Sequence, residues 1–184
     1  MRAVVRRLRV LGLDPGSRIT GFGLVEGLGT QSSYVEAGIV KPGVGSLSER
    51  IGEIHLRMVE VIDRLQPDVM AVEQVFVARS ADSALKLGQA RGAAIVAATS
   101  RGLPVVEYAA SRVKQSITGS GAASKGQMQR MIALLLHLPE LPSPDAADAL
   151  AIALCHLHSE GSPMRWEGPA RSRRRWKRLP GGAT

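Results

Sequence analysis

Val10-Leu11-Gly12-Leu13-Asp14-Pro15-Gly16-Ser17, resuming as Gly21-Phe22-Gly23-Leu24-Val25, is the stretch from which the fold can be read. A short β-branched and Leu run, a Pro-Gly turn and a second apolar run predict a β-hairpin whose first strand ends on a carboxylate. Tyr34 to Val40 supplies a third strand, and three strands joined by short turns predict an antiparallel meander. The hydrophobic period then changes. Leu47, Ile51, Ile54, Met58, Val61, Ile62 and Leu65 recur at spacings of three and four behind a capping-box pair, Ser46 and Glu49, and Gln66-Pro67-Asp68 closes that helix. Val69-Met70-Ala71-Val72 follows as a buried strand that delivers Glu73 at its end. Residues 80–99 read as a second helix, so rich in Ala and Gly that it should press closely on a neighbour, and Val105 to Tyr108 is a fifth strand. Past the interruption Gly119-Ser120-Gly121, Ser124 and Gln127 cap a helix running to about His137. Ser143 as N-cap and Pro144 as first helical residue open the last one, reaching about His158. This order of elements predicts an α/β fold: a five-stranded mixed sheet with helices on both faces.

Composition bounds the function. At 184 residues and 45% apolar content, the chain suffices for one domain burying roughly two-thirds of the surface its unfolded form exposes. No apolar run approaches the ~18 residues that span a bilayer, so no membrane association is expected. Arg2, Arg6, Arg7 and Arg9 imitate the basic end of a signal peptide, but Asp14 and Pro15 break the apolar segment behind them, which predicts retention in the cytoplasm. The single cysteine, Cys155, lies in an apolar run and reads as a small buried hydrophobe. The net charge of +8 sits at the ends: residues 1–9 carry four Arg and no acid, and residues 165–184 carry seven Lys or Arg and one Glu. The intervening body holds 13 bases against 15 acids. Basic ends on a near-neutral body are a footprint of polyanion binding. The expected organisation is a basic extension over 1–9, a folded domain over 10–160, and a basic tail over 161–184 that is disordered until bound.

Four acids stand out. Asp14 and Glu73 each terminate an apolar run; Asp145 and Asp148, three apart, project from one side of the last helix. Ordinary readings exist for three of them: a turn residue for Asp14, a solvated strand end for Glu73, and a first-turn acid favoured by the helix dipole for Asp145. Asp148 is the only charge between Ala146 and Cys155, in a segment otherwise built for burial. Gathered together, these carboxylates would raise one another's pKa values, a conflict that a divalent cation removes. An all-oxygen donor set suits Mg²⁺ or Mn²⁺.

Four segments, in order, resemble the signature blocks of the RuvC family of Holliday-junction resolvases: 10–17, Glu73-Gln74-Val75-Phe76, 81–92 (ADSALKLGQARG) and 145–153 (DAADALAIA). The likeness runs from about Val10 to His158. It implies an RNase H-like fold and an endonuclease that resolves four-way DNA junctions as a homodimer. Asp14, Glu73, Asp145 and Asp148 would form the catalytic, metal-binding set, with two Mg²⁺ ions per site and Mn²⁺ as substitute. The resemblance further implies that Phe76 stacks on junction bases, that Lys114 and Lys125 contact the DNA backbone, and that the RuvA–RuvB branch-migration complex is a partner. Arg79, Lys86 and Arg91 are weaker candidates for phosphate contacts, and no metal-ligand pattern links His55, His137, His156 and His158. Against the family, the chain has several residues before the first strand and a longer, more basic tail.

Two other readings compete. A nuclease of the same fold acting on structured RNA would keep the acids; an ATP-binding actin-like or sugar-kinase-like domain would use the first hairpin for phosphates but needs two related domains and leaves Asp145 and Asp148 unexplained. The seven bases of 165–184 should act as an electrostatic tether, each phosphate contact contributing roughly −0.9 to the slope of log affinity against log salt. Truncation after Met164 is expected to flatten that slope for a four-way junction while leaving the saturated nicking rate at low salt nearly unchanged; affinities across several salt concentrations check it.

Overall fold

A computed structural model describes residues 7–28, 31–74 and 80–160. In chain order its elements are β1 (Leu8–Asp14), β2 (Thr20–Leu28), β3 (Gln31–Val40), α1 (Leu47–Leu65), β4 (Val69–Glu73), α2 (Ala81–Ser100), β5 (Val105–Tyr108), α3 (Ala110–Thr118), α4 (Lys125–Leu135) and α5 (Pro144–Glu160). They build one sheet ordered β3-β2-β1-β4-β5. The meander β1-β2-β3 is antiparallel; β4, reached through α1, pairs with β1 in parallel, and β5, reached through α2, pairs with β4 in parallel.

The period-two alternation of the strands divides the core. Val10, Val25, Val69 and Ala71 pack with α3, α4 and α5 on one face of the sheet. Leu11, Leu13, Leu24, Met70 and Val72 pack with α1 and α2 on the other. Parity therefore sends Asp14, two residues beyond Gly12 and four beyond Val10, toward the α5 face. Glu73, two beyond Ala71, goes the same way.

Capping follows the sequence closely. Ser46 accepts from the Glu49 N–H and Glu49 reaches back to Ser46; Ser124 and Gln127 do the same for α4. The Ala146 N–H donates to Ser143 Oγ at 3.4 Å at the head of α5. Helix α1 stops at Gln66, whose left-handed φ of 48° turns the chain before Pro67.

Strands β2 and β3 run further than the sequence reading, to Leu28 and from Gln31, and four other features differ from it. First, β1 begins two residues early, within the basic stretch, because Leu8 and Arg9 pair with Gly27 and Glu26 and the Arg9 guanidinium bonds Glu26 at 2.9 Å and the Leu65 carbonyl at 2.7 Å. Second, α4 ends at Leu135 rather than about His137, where φ is 51° and Pro139 disfavours further helix. Third, α3 is a helix that the apolar spacing does not announce: only Val113 and Ile117 are buried on it, and its N-cap, Ala109, makes no side-chain cap bond. Fourth, the close approach of α2 to α1 is made by alanines, Ala90, Ala94, Ala97 and Ala98, whereas a Cβ at Gly88 or Gly92 would meet nothing within 4 Å. Among the described residues no helix is long and apolar enough to cross a membrane, and no buried side-chain polar atom lacks a hydrogen-bond partner.

The tightest packing lies under α5. A Cβ at Gly12 would overlap the Ala149 carbonyl oxygen, and one at Gly21 would overlap that of Asp145. Both obstacles are backbone, which cannot rotate aside. Gly12→Ala is expected to destabilise the fold by on the order of 1–3 kcal/mol or more in urea denaturation. Gly52→Ala, at an exposed position of α1 with open space around it, should stabilise by about 0.5–1 kcal/mol.

Candidate active site

Register builds the site. Strands β1 and β4 run parallel with Leu13 opposite Val72, so the next residue of each, Asp14 and Glu73, is an acid, and the two stand side by side at the C-terminal ends of adjacent strands. Asp14 also pairs with Gly21 of β2, and Gly21 lies beneath the Asp145 backbone. The missing Cβ thus lets the first turn of α5 settle over the end of β1, carrying Asp145 and Asp148 to the strand-end acids.

Electrostatics records the convergence. Burial, followed by the charges of Asp148, Glu73 and Asp145, pushes the Asp14 carboxyl up to about 7. Burial, then Asp148, raises Glu73. Burial is also the largest cause for Asp148, which Asp145 raises further while Lys125 and Lys114 oppose it. The lysines expected to contact DNA therefore stand in the field of the acids: Lys125 Nζ lies 3.5 Å from Asp148 Oδ2, and both lysines favour the ionised form of Glu73. Lys125 is the first residue of α4, where the helix macrodipole disfavours a cation. Its placement there runs against local helix stability and toward the acids.

As they stand, no three His, Cys, Asp or Glu side chains among the described residues are close enough together to hold a metal ion. The chemistry of the donor set nonetheless fits a hard divalent cation. It consists of carboxylates alone, three of them pushed toward protonation, with two lysines giving partial compensation.

The other sequence candidates are distributed as follows. Lys86 pairs with Asp82 at 2.6 Å along α2. Arg91, largely buried, donates from Nε to the Glu73 carbonyl at 3.3 Å and lies 2.9 Å through Nη2 from Glu107 Oε2. Phe76 and Arg79 lie outside the described residues, as does the basic tail. His156 is buried against Tyr108, its Nδ1 2.8 Å from the phenol oxygen, and burial pushes it down to about 4. One contributor escaped the sequence reading: Arg50 of α1 donates to the carbonyl of Ser17, fixing the turn behind Asp14. No spacing signal could reveal a contact across 33 positions.

The family model described as crossover junction endodeoxyribonuclease RuvC matches residues 10–156. A protein of that description from Shewanella frigidimarina is 50% identical over 164 residues, covering 89% of this chain and 95% of the relative. The structure of Thermus thermophilus RuvC in complex with a Holliday junction substrate is similar with a TM-score of 0.79 at 39% identity, over 84% of this chain and 95% of that one. The structure titled Thermus thermophilus RuvC gives 0.74 at 40%, over 83% and 95%. The five-stranded mixed sheet flanked by helices is accordingly an RNase H-like fold.

A raised carboxyl pKa has a thermodynamic signature. With Asp14 near 7 in the fold and near 3.8 when unfolded, the native state holds the extra proton between those values. The stability is therefore complete below about pH 4 and is lost as the pH rises through about 7. In EDTA, Asp14→Asn should raise the thermal midpoint by several degrees at pH 8, with a gain that shrinks steadily toward pH 5; melting curves across that range check the sign.

Proposed function

Because the chain belongs to the RuvC family of crossover junction endodeoxyribonucleases, structure-selective enzymes that resolve Holliday junctions, we propose that Asp14, Glu73, Asp145 and Asp148 are its catalytic carboxylates. The observation that carries this is the register that sets Asp14 and Glu73 side by side at the ends of β1 and β4 beneath the first turn of α5, where the half-buried Asp14 carboxyl is raised by burial and by the other three acids. The four would hold two Mg²⁺ ions, with Mn²⁺ as substitute; when bound, the ions supply Lewis acidity toward the attacking water and the leaving oxygen. Water adds to phosphorus, the bond to the 3′-oxygen breaks, and the proton given up by the water balances the 3′-hydroxyl. The ends are then 5′-phosphate and 3′-hydroxyl.

The remaining residues bind and orient. Lys114 and Lys125 receive the phosphates flanking the scissile bond, and the largely exposed Lys125 exchanges Asp148 for a strand phosphate. Phe76 stacks on unpaired bases, while Arg79 and Lys86 contact phosphates. One site accommodates one strand, so two symmetric nicks call for a homodimer, working on junctions in the cytoplasm alongside the RuvA–RuvB complex. The basic stretch 165–184 adds sequence-independent affinity.

The test is a gel assay of labelled four-way junction, linear duplex and structured RNA in Mg²⁺, Mn²⁺ or EDTA. Cleavage of the junction alone, abolished by EDTA, is expected. Asp14→Asn, Glu73→Gln, Asp145→Asn and Asp148→Asn should each lower the rate by orders of magnitude with junction binding retained or tightened, since each removes a negative charge that faces phosphate. Cutting in EDTA, or preferential cutting of RNA, would sink the reading.

A further inference from the structure

We infer that Arg91 is a positioning residue that sets the orientation of Glu73 from the opposite layer of the protein, rather than a contact to DNA phosphate. The inference rests on the assignment of Glu73 as a catalytic acid. Arg91 sits on α2, and its side chain is only 19% exposed. Neighbouring donors of its guanidinium are divided between two elements: Nε donates to the main-chain carbonyl of Glu73 at the end of β4, and Nη2 lies 2.9 Å from the carboxylate of Glu107 on β5. Glu107 stands opposite Val72, and the next pair is Glu73 with Tyr108. The Gln74 N–H closes the same corner by donating to the Tyr108 carbonyl at 2.8 Å. One side chain thus ties α2, β4 and β5 at the residue where β4 ends.

What it holds is a peptide plane. Glu73 lies one residue past the last β1–β4 pair, so that strand no longer restrains it. Holding its carbonyl restrains ψ at Glu73 and so the backbone frame from which its side chain projects. A displacement of about 1 Å at a reacting group can cost on the order of 100-fold in rate, so a bond to that carbonyl bears directly on the reaction. Glu107 is 45% exposed and its pair with Arg91 contributes little stability, but it fixes the guanidinium plane against the carbonyl. Lysine is a point charge and cannot reproduce a two-direction planar fork.

Three measurements on the full-length protein separate the roles: single-turnover nicking of a saturating-enzyme junction complex in Mg²⁺, junction affinity in EDTA across a salt series, and Mn²⁺ binding to the DNA-free protein by electron paramagnetic resonance. Arg91→Lys and Arg91→Gln should each nick roughly 10–100-fold more slowly and bind Mn²⁺ more weakly, as is typical when a group orienting a metal ligand is lost. Junction affinity and its salt slope should stay at wild-type values. Glu107→Gln should shift rate and Mn²⁺ affinity the same way by a smaller factor. Wild-type nicking by Arg91→Lys, with a salt slope flatter by about 0.9 in Arg91→Gln, would instead make Arg91 a phosphate contact. A lowered thermal midpoint with wild-type rate and Mn²⁺ affinity would make it merely structural, and either result overturns the inference. Glu73→Gln serves as reference: if it still cleaves, the assignment of Glu73 falls and this inference with it. If it is inactive while the Arg91 variants behave as wild type, the inference alone falls.

Discussion

The seating of α5 on glycine backbone is the contact on which the rest of the structure depends. Residues 146–157 of this helix are almost wholly buried, and it lies across β1 and β2 with its backbone against Gly12 and Gly21. Side chains at those positions would lift it from the sheet. The strand-end acids would keep their places in β1 and β4, but Asp145 and Asp148 would recede from them. The distance from helix to sheet is thus also the distance between the two halves of the acid cluster, so packing and chemistry are governed by the same missing Cβ atoms.

That arrangement opposes local stability. Burial and mutual repulsion raise Asp14, Glu73 and Asp148, which means that the fold holds carboxylates together against their preference for water and for separation. Two apolar cores, one on each face of the sheet, supply the opposing free energy. Lys114 and Lys125 offset the repulsion only in part, because Lys125 is largely exposed and its attraction to Asp148 is screened by solvent. The residual conflict is electrostatic, and a cation would relieve it in a way that better packing could not.

Much of this was legible in the sequence, for identifiable reasons. Strand alternation, capping boxes and the Pro-Gly turn are local codes, so β1, β2, α1 and the start of α5 follow from neighbouring residues. Asp14, Glu73 and Asp148 stood out locally because a charge ending an apolar run, or lying alone within one, conflicts with burial, whereas grouping them with Asp145 rested on the family resemblance and not on spacing. Helix α3 was hidden because nine residues with two buried apolar side chains and no side-chain cap carry too little signal. The first residues of β1 were hidden for another reason: their arginines read as a basic extension, and only the partner across the sheet, Glu26, shows that Arg9 belongs to a strand. Strand order and the register that aligns Asp14 with Glu73 depend on contacts distant in sequence, and no local pattern encodes them. Gly12 and Gly88 look alike in sequence, yet one is pressed by a helix backbone and the other faces open space.

The two faces of the sheet divide the work of the site. The α5 face bears the carboxylates and lysines, the groups that would meet metal and phosphate. From the opposite layer, arginines grip main-chain carbonyls where the strands end: Arg50 of α1 holds Ser17 behind Asp14, and Arg91 of α2 holds Glu73 itself. A carbonyl is a suitable handle because it orients the adjacent residue without competing for its side chain. An arginine placed among the acids would neutralise them and displace a cation; one bound to the backbone from behind fixes their direction and leaves the negative potential in front intact. The layered fold thereby supplies rigidity from one side and charge from the other.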